Sequence, residues 1–198
     1  MKAAVVDQLG GVPVYGDRPE PEIHDGEELV TVAAVAVENV DRAIVAGTHY
    51  TSGPFQAALP AVPCFDGIGR LPDGTLVGFG GLTPPNGSLA ERVVVPSAYA
   101  PVIPAGIEPE IAAALPSAIT AMCMQTAAGL QSGETVLVQG ATGVAGRLAV
   151  QVARLLGAGR IVATGRDDAA LAEVASLGAD TLINTDVADE DLVGLFRD

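Results

Sequence analysis

The stretch Gly133 to Arg166, GETVLVQGATGVAGRLAVQVARLLGAGRIVATGR, constrains the chain more than any other. Thr135 to Gln139 is a short apolar run that reads as a strand. Gly140, Gly143 and Gly146 follow at spacing three. A helical pattern comes next, with Ala145, Leu148, Ala149, Val152, Ala153 and Leu156 on one face and Arg147, Gln151 and Arg154 on the other. Ile161 to Ala163 is a second apolar run. This spacing predicts a strand, a glycine turn, a helix and a second strand, the length that a parallel crossover needs.

Such a turn has a specific chemistry. A dinucleotide carries a pyrophosphate, which is bound by backbone N–H groups and by the positive end of a helix. Glycines let the backbone turn tightly and come close to the phosphates. Here Ala141 holds the first place of the GxGxxG pattern, and Gly143 and Gly146 hold the second and third. Together with Gly140, Thr142, Val144 and Ala145 they form the expected phosphate cradle. The context is what makes the pattern specific: it follows a strand and opens an amphipathic helix. After the second strand, an NAD site usually offers an acid to the ribose. Here Thr164-Gly165-Arg166 stands in that place, a small residue followed by a guanidinium suited to a 2′-phosphate. The expected cofactor is therefore NADP.

Net charge is −14, from 24 acids and 10 bases. That argues against nucleic acid or an anionic membrane as partner. Four of the bases, Arg147, Arg154, Arg160 and Arg166, fall within the glycine-turn unit, where an anionic cofactor needs a local positive patch; the alternative for Arg154 and Arg160 individually is a solvated helix or loop arginine. Cys64 and Cys123 are too few for a disulfide framework or a structural zinc site, and are expected to be reduced and buried in a cytoplasmic protein. The start, MKAAVVDQLG, lacks the apolar core of a signal peptide, and Leu29–Val37 is too short to span a bilayer.

Residues before about 110 read differently. Apolar runs at Ala3–Val6, Leu29–Val37, Ile68–Leu71, Leu76–Phe79 and Arg92–Val95 alternate with turn signals at Gly10-Gly11, Pro19–Pro21, Pro72-Asp73-Gly74 and Pro84–Gly87. This is the pattern of an antiparallel sheet or a partly open barrel. A short helix is expected at Val40–Ala46, capped by Asn39 and stopped by Gly47. A longer helical stretch begins at Glu108, with a break at Pro116 and Ser117 as cap of its second half.

This order of elements resembles the medium-chain dehydrogenase/reductase superfamily, and within it the zinc-independent quinone oxidoreductase branch, the zeta-crystallin-like proteins. The resemblance runs through MKAAVVDQLG, VDRAIVAG, PCFDGIG, GSLAERVVVP, LPSAITA, GETVLVQGATGVAG and LGAD. It implies an α/β protein with a GroES-like β domain on the substrate side, residues 1–112, and a partial Rossmann dinucleotide-binding domain, residues 113–198. It also implies NADPH-dependent hydride transfer to a small-molecule quinone, enone or related electrophile, in a cleft between the domains. A homodimer is expected. Thr120 matches a family threonine near the nicotinamide.

The departures from the family pattern are informative. Phe65 stands where zinc-dependent members place a histidine ligand, so no metal is expected. The family's Asn-Pro pair before the short helix is Glu38-Asn39, and a common Lys and Tyr are Ala170 and Thr185, which puts more weight on Arg166. The substrate-side candidates are Asn39, Asp41, His49 and Tyr50; no proton donor stands out among them. Relatives continue past the third strand, Thr181–Asn184, so the parallel sheet reads as truncated: a fragment, a shortened relative, or a chain whose partner covers the edge. The alternatives to a reductase are a non-catalytic NADP(H)-binding sensor or interaction protein and an inactive fragment. A short-chain reductase is excluded, because Lys2 is the only lysine and no Tyr-x-x-x-Lys pair exists.

Overall fold

A computed structural model of the chain describes residues 1–196, apart from the side chains of residues 115–120 and 189. It divides into two units, Met1–Ala114 and Leu115–Asp198.

The first unit is built on antiparallel strands. β1 (Lys2–Val5) pairs with β2 (Val14–Asp17). A four-stranded sheet has the order β5-β4-β3-β6, with β3 at Glu27–Ala34, β4 at Gly67–Arg70, β5 at Leu76–Phe79 and β6 at Arg92–Pro96. Pro72-Asp73-Gly74 makes the hairpin between β4 and β5, and Gly74 takes a φ of +89° that a side chain would strain. Isolated bridges Ala3↔Ala90 and Val6↔Ala61 tie the start of the chain to the rest. The result is the antiparallel pairing expected from the alternation of apolar runs and turns. Its core is Val30, Val77, Phe79, Val93 and Val95. A second cluster, Val6, Ile44, Phe55 and Ala61, has Phe65 packed against it.

Two helices lie between β3 and β4: α1 (Asn39–Val45) and α2 (Ser52–Ala57). The cap of α1 is Glu38, not Asn39. The Asp41 carboxylate accepts from the Glu38 backbone N–H at 2.8 Å and closes a reciprocal capping box with it. Gly47 ends the helix as expected, at φ +77° with its N–H on the Ile44 carbonyl. In α2, SGPFQA, Pro54 falls in the first helical turn, where its missing N–H costs nothing.

The junction also differs from expectation. α3 (Pro109–Ala112) stops before Pro116, and α4 (Leu115–Thr126) contains both Pro116 and Ser117. Proline is at home in a first turn, so Pro116 helps to start the second helix and does not break one. Among the described side chains of α4 only Ala121 is buried, with Met124 partly so, which leaves Cys123 exposed and not buried as expected.

The second unit carries a parallel sheet in the order β7-β8-β9: β7 (Thr135–Val138), β8 (Arg160–Gly165) and β9 (Thr181–Asn184). α5 (Val144–Leu155) crosses from β7 to β8 and α6 (Asp168–Ser176) from β8 to β9; α7 (Asp189–Leu192) follows. Val138, Ala141, Val150, Ala153, Ile161, Ala163 and Val174 form the core. Of the face expected to be apolar on α5, Ala153 is buried, Leu148, Ala149, Val152 and Leu156 are half-buried, and Ala145 is exposed; Val150 supplies the second buried contact. Ile161, 0% exposed, sits in the middle of this core. Its replacement by alanine should destabilise the second unit by about 2–5 kcal/mol in urea denaturation.

Candidate functional site

The glycine turn joins β7 to α5 at the carboxyl end of the sheet, and β8 holds it there. Thr164 is nearly buried, and it grips the turn twice. Its carbonyl accepts from Ala141 N–H at 2.8 Å, and its hydroxyl accepts from Gly140 N–H at 3.3 Å. Gly140 takes a φ of +65°. Ala141 is fully buried against the core, which explains how alanine can hold the first place of the pattern. Gly146 is forced by packing: a Cβ there would lie 2.3 Å from the Gly140 carbonyl oxygen and 2.6 Å from Ala141 Cα.

Gly143 is the N-cap of α5, and no side chain caps the helix. Val144, Ala145 and Gly146 therefore start a helix whose first N–H groups have no intrahelical acceptor. Gly140, Gly143, Val144 and Ala145 are exposed, so the helix's positive end is open to an anion. A pyrophosphate fits such a cradle.

The expected positive patch is narrower than the sequence suggests. Arg147 binds the Thr142 carbonyl at 3.0 Å and Glu173 at 2.7 Å. Arg154 holds Ala158 O, Gly178 O and Asp180, and Arg160 holds the Thr181 hydroxyl. Only Arg166 of the four makes no hydrogen bond or ion pair among the described residues. The acids next to it are occupied: Asp167 caps α6 by accepting from Ala170 N–H at 2.8 Å, and Asp168 accepts from the Asn184 amide at 2.6 Å. Gly165 is buried, and its carbonyl accepts from the backbone N–H of Thr185 at 2.8 Å and from its hydroxyl at 3.1 Å. Thr164 and Gly165 thus shape the site, and Arg166 is the exposed charge beside it. The Thr120 side chain lies outside the described residues.

In the first unit, α1 and the loop after β1 border an open cavity of about 810 Å³, with Asn39, Asp41, Arg42, Cys64, Val37 and Leu89 in its wall. Of the substrate-side candidates, Asn39 and Asp41 are brought together here. His49 and Tyr50 are not part of this wall; their rings lean on each other at 4.3 Å, and His49 Nδ1 meets the Thr51 hydroxyl at 2.7 Å. Cys64 and Arg42 are the wall residues that sequence reasoning missed. Cys64 is buried at φ +68°, a conformation that no sequence signal announces. Among the described residues no group of three or more His, Cys, Asp or Glu side chains could hold a metal ion.

Burial dominates the electrostatics of this wall. It raises the Asp41 carboxyl, partly offset by the Glu38 N–H that it accepts. Burial, with the adjacent Asp41 charge, pushes the Cys64 thiol up to about 12, so it is protonated and inert as a nucleophile. Half-buried Asp66 is pushed up to about 6 by burial first and then by the Asp41 and Glu38 charges.

No family profile matches the chain. It is 30% identical to a probable NADPH-dependent quinone reductase of Emericella nidulans, over 89% of this chain and 58% of that one. It is 32% identical to the chloroplastic NADPH-dependent alkenal/one oxidoreductase of Arabidopsis thaliana, over 93% of this chain and 52% of that one. Among solved structures, the quinone oxidoreductase of Thermus thermophilus, also determined in complex with NADPH, is 37% identical with a TM-score of 0.80, covering 92% of this chain and 59% of that one. The quinone oxidoreductase of Coxiella burnetii superposes with a TM-score of 0.86 at 26% identity, over 98% and 65% of the two chains. The chain thus spans between half and two thirds of the length of these proteins. Among the described residues no helix is long and apolar enough to cross a membrane.

Two outcomes follow from the geometry. Gly146→Ala should cost about 1–3 kcal/mol, because the turn must move off the helix; thermal unfolding with the substitution should show it. The Asp66 carboxyl titrates near 6 when folded and near 4 when unfolded, so the folded form holds the extra proton between those values. Stability from this group is lost as pH rises from about 4 to about 6. Asp66→Asn should therefore stabilise the chain at pH 7 by about 1 kcal/mol, after allowance for solvent screening, and leave it unchanged below about pH 4. Denaturant midpoints across that pH range provide the check.

Proposed function

We propose that the chain is a member of the medium-chain dehydrogenase/reductase superfamily, in its zinc-independent quinone oxidoreductase branch, and that it binds NADPH at Gly140–Gly146 and serves hydride transfer to a quinone, enone or related electrophile. A bound nicotinamide nucleotide supplies the hydride. The chain's part is to bind, orient and keep the site free of competing groups. The N–H groups that open α5 take the pyrophosphate, Thr164 fixes the turn, and Arg166 takes the 2′-phosphate.

The free Arg166 guanidinium is the observation that carries the cofactor preference. A carboxylate in its place would favour the 2′-hydroxyl of NADH; here the nearest acids cap a helix and bind Asn184 instead. The cavity beside α1 serves as the substrate side, with Asn39 and Asp41 as its polar contacts. Direct hydride transfer needs little else from a protein than orientation and a donor for the developing oxyanion. A reducing cytoplasm agrees with two free cysteines.

Fluorescence titration with NADPH and NADH tests the cofactor. NADPH should bind more tightly, and Arg166→Ala should weaken NADPH by about 10–100-fold, the loss of one charge-assisted contact, while leaving NADH unchanged. Equal affinity for both nucleotides would remove the 2′-phosphate assignment. Oxidation of NADPH with a panel of quinones and enones then tests the reaction class.

A further inference from the structure

The first unit's basic side chains are nearly all engaged. Lys2 pairs with Asp17 and Arg92 with Glu20. Arg18 donates to the Pro60 carbonyl and Arg70 to that of Gly74. The Arg42 guanidinium makes no hydrogen bond or ion pair among the described residues, and of the described guanidinium and ammonium groups only that of Arg166 shares that condition. In a chain of net charge −14, acids to pair with are abundant. Arg166 stands beside the glycine turn. Arg42 stands in the wall of the 810 Å³ cavity.

We propose that Arg42 is the anion anchor of this cavity, and that the electrophile it takes carries a carboxylate. The inference deepens the reading of the cavity as the substrate side and rests on it. Asn39 and Arg42 are three residues apart on α1 and so share a face, and both line the cavity. Together they offer an amide N–H and a planar fork of guanidinium donors, the geometry that receives a carboxylate in two places. Asp41, on the same wall, makes no ion pair with Arg42 among the described residues; its carboxylate accepts from the Glu38 N–H instead. Much of the remaining wall, including Val12, Val37, Val45 and Leu89, is apolar and suits the body of such a substrate. A cation in the last turn of α1 also complements the helix dipole, but that role bears on stability and not on ligand choice.

Binding can be read on the chain itself, without cofactor, from NMR shifts of the Val37, Val45 and Leu89 methyl groups. The probes are benzoylpropionate and its methyl ester, a matched pair that lacks the activated alkene and so adds to no thiol. The acid should shift these methyls with an affinity about tenfold or more above that of the ester, and added salt should narrow the gap. Arg42→Gln should bring the acid down to the ester while the ester's affinity stays as it was, and Arg42→Lys should keep part of the preference. Equal binding of acid and ester by the unmodified chain, an acid preference that survives Arg42→Gln, or no shift at these methyls overturns the proposal. So does an equal loss of both probes in Arg42→Gln, which would make the residue structural. Nucleotide titration separates the two readings: an acid preference without NADPH binding sinks the reductase and keeps the anchor, and NADPH binding without an acid preference does the reverse.

Discussion

The second unit depends on how Thr164 holds the turn between β7 and α5. One residue at the end of β8 receives the N–H groups of Gly140 and Ala141, through its hydroxyl and its carbonyl. Two donors that would otherwise be left over at a tight bend are thereby satisfied, in a setting where an unpaired buried polar group costs more than a hydrogen bond gains. With the turn fixed, α5 can pack close enough that only glycine fits at position 146. The open donors at the helix start have a separate cause: the first N–H groups of a helix lack an intrahelical acceptor, and no side chain caps α5.

Much of this was legible in the sequence, because it depends on local periodicity. Short apolar runs and one helical period, separated by glycines, point to β7, α5 and β8 within a residue or two, while β9 is placed by the resemblance to a known family. What was not legible depends on contacts between distant segments. Nothing near Arg147, Arg154 or Arg160 in sequence reveals Glu173, Asp180 or Thr181 as their partners. Thr164 was read as a cofactor contact, and its hydroxyl proves to be used by the fold. The same limit appears at Pro116 and Cys123. Proline reads as a breaker until the helix start is known, and a cysteine reads as buried until the packed stripe of its helix is known.

The first unit shows the same division. Its hairpin and its short α1 follow from turn residues and a stop at Gly47. Its cavity does not, since the wall is assembled from the loop after β1, from α1, and from Pro63 and Cys64 far along the chain. Cys64 accepts a left-handed backbone there and lines the same wall as Asp41, so a residue that looks like a plain core cysteine becomes part of the cavity.

The parallel sheet has two ends with different duties. At the amino ends of its strands, Asp180 accepts from Ile161 N–H at 2.7 Å and from Arg154 at 2.6 Å, and Arg154 also holds the carbonyls of Ala158 and Gly178. This clasp ties the two loops that enter β8 and β9. At the carboxyl ends, the exposed residues at the start of α5 and Arg166 take no part in such ties. The amino rim thus carries adhesion alone, and the carboxyl rim carries the open donors and Arg166 beside the ties that Thr164 and Gly165 make. Substitutions at the recognising rim can alter what is bound while the adhesive rim keeps the strands in register, so descent with changed specificity has a route here that need not pass through an unfolded ancestor.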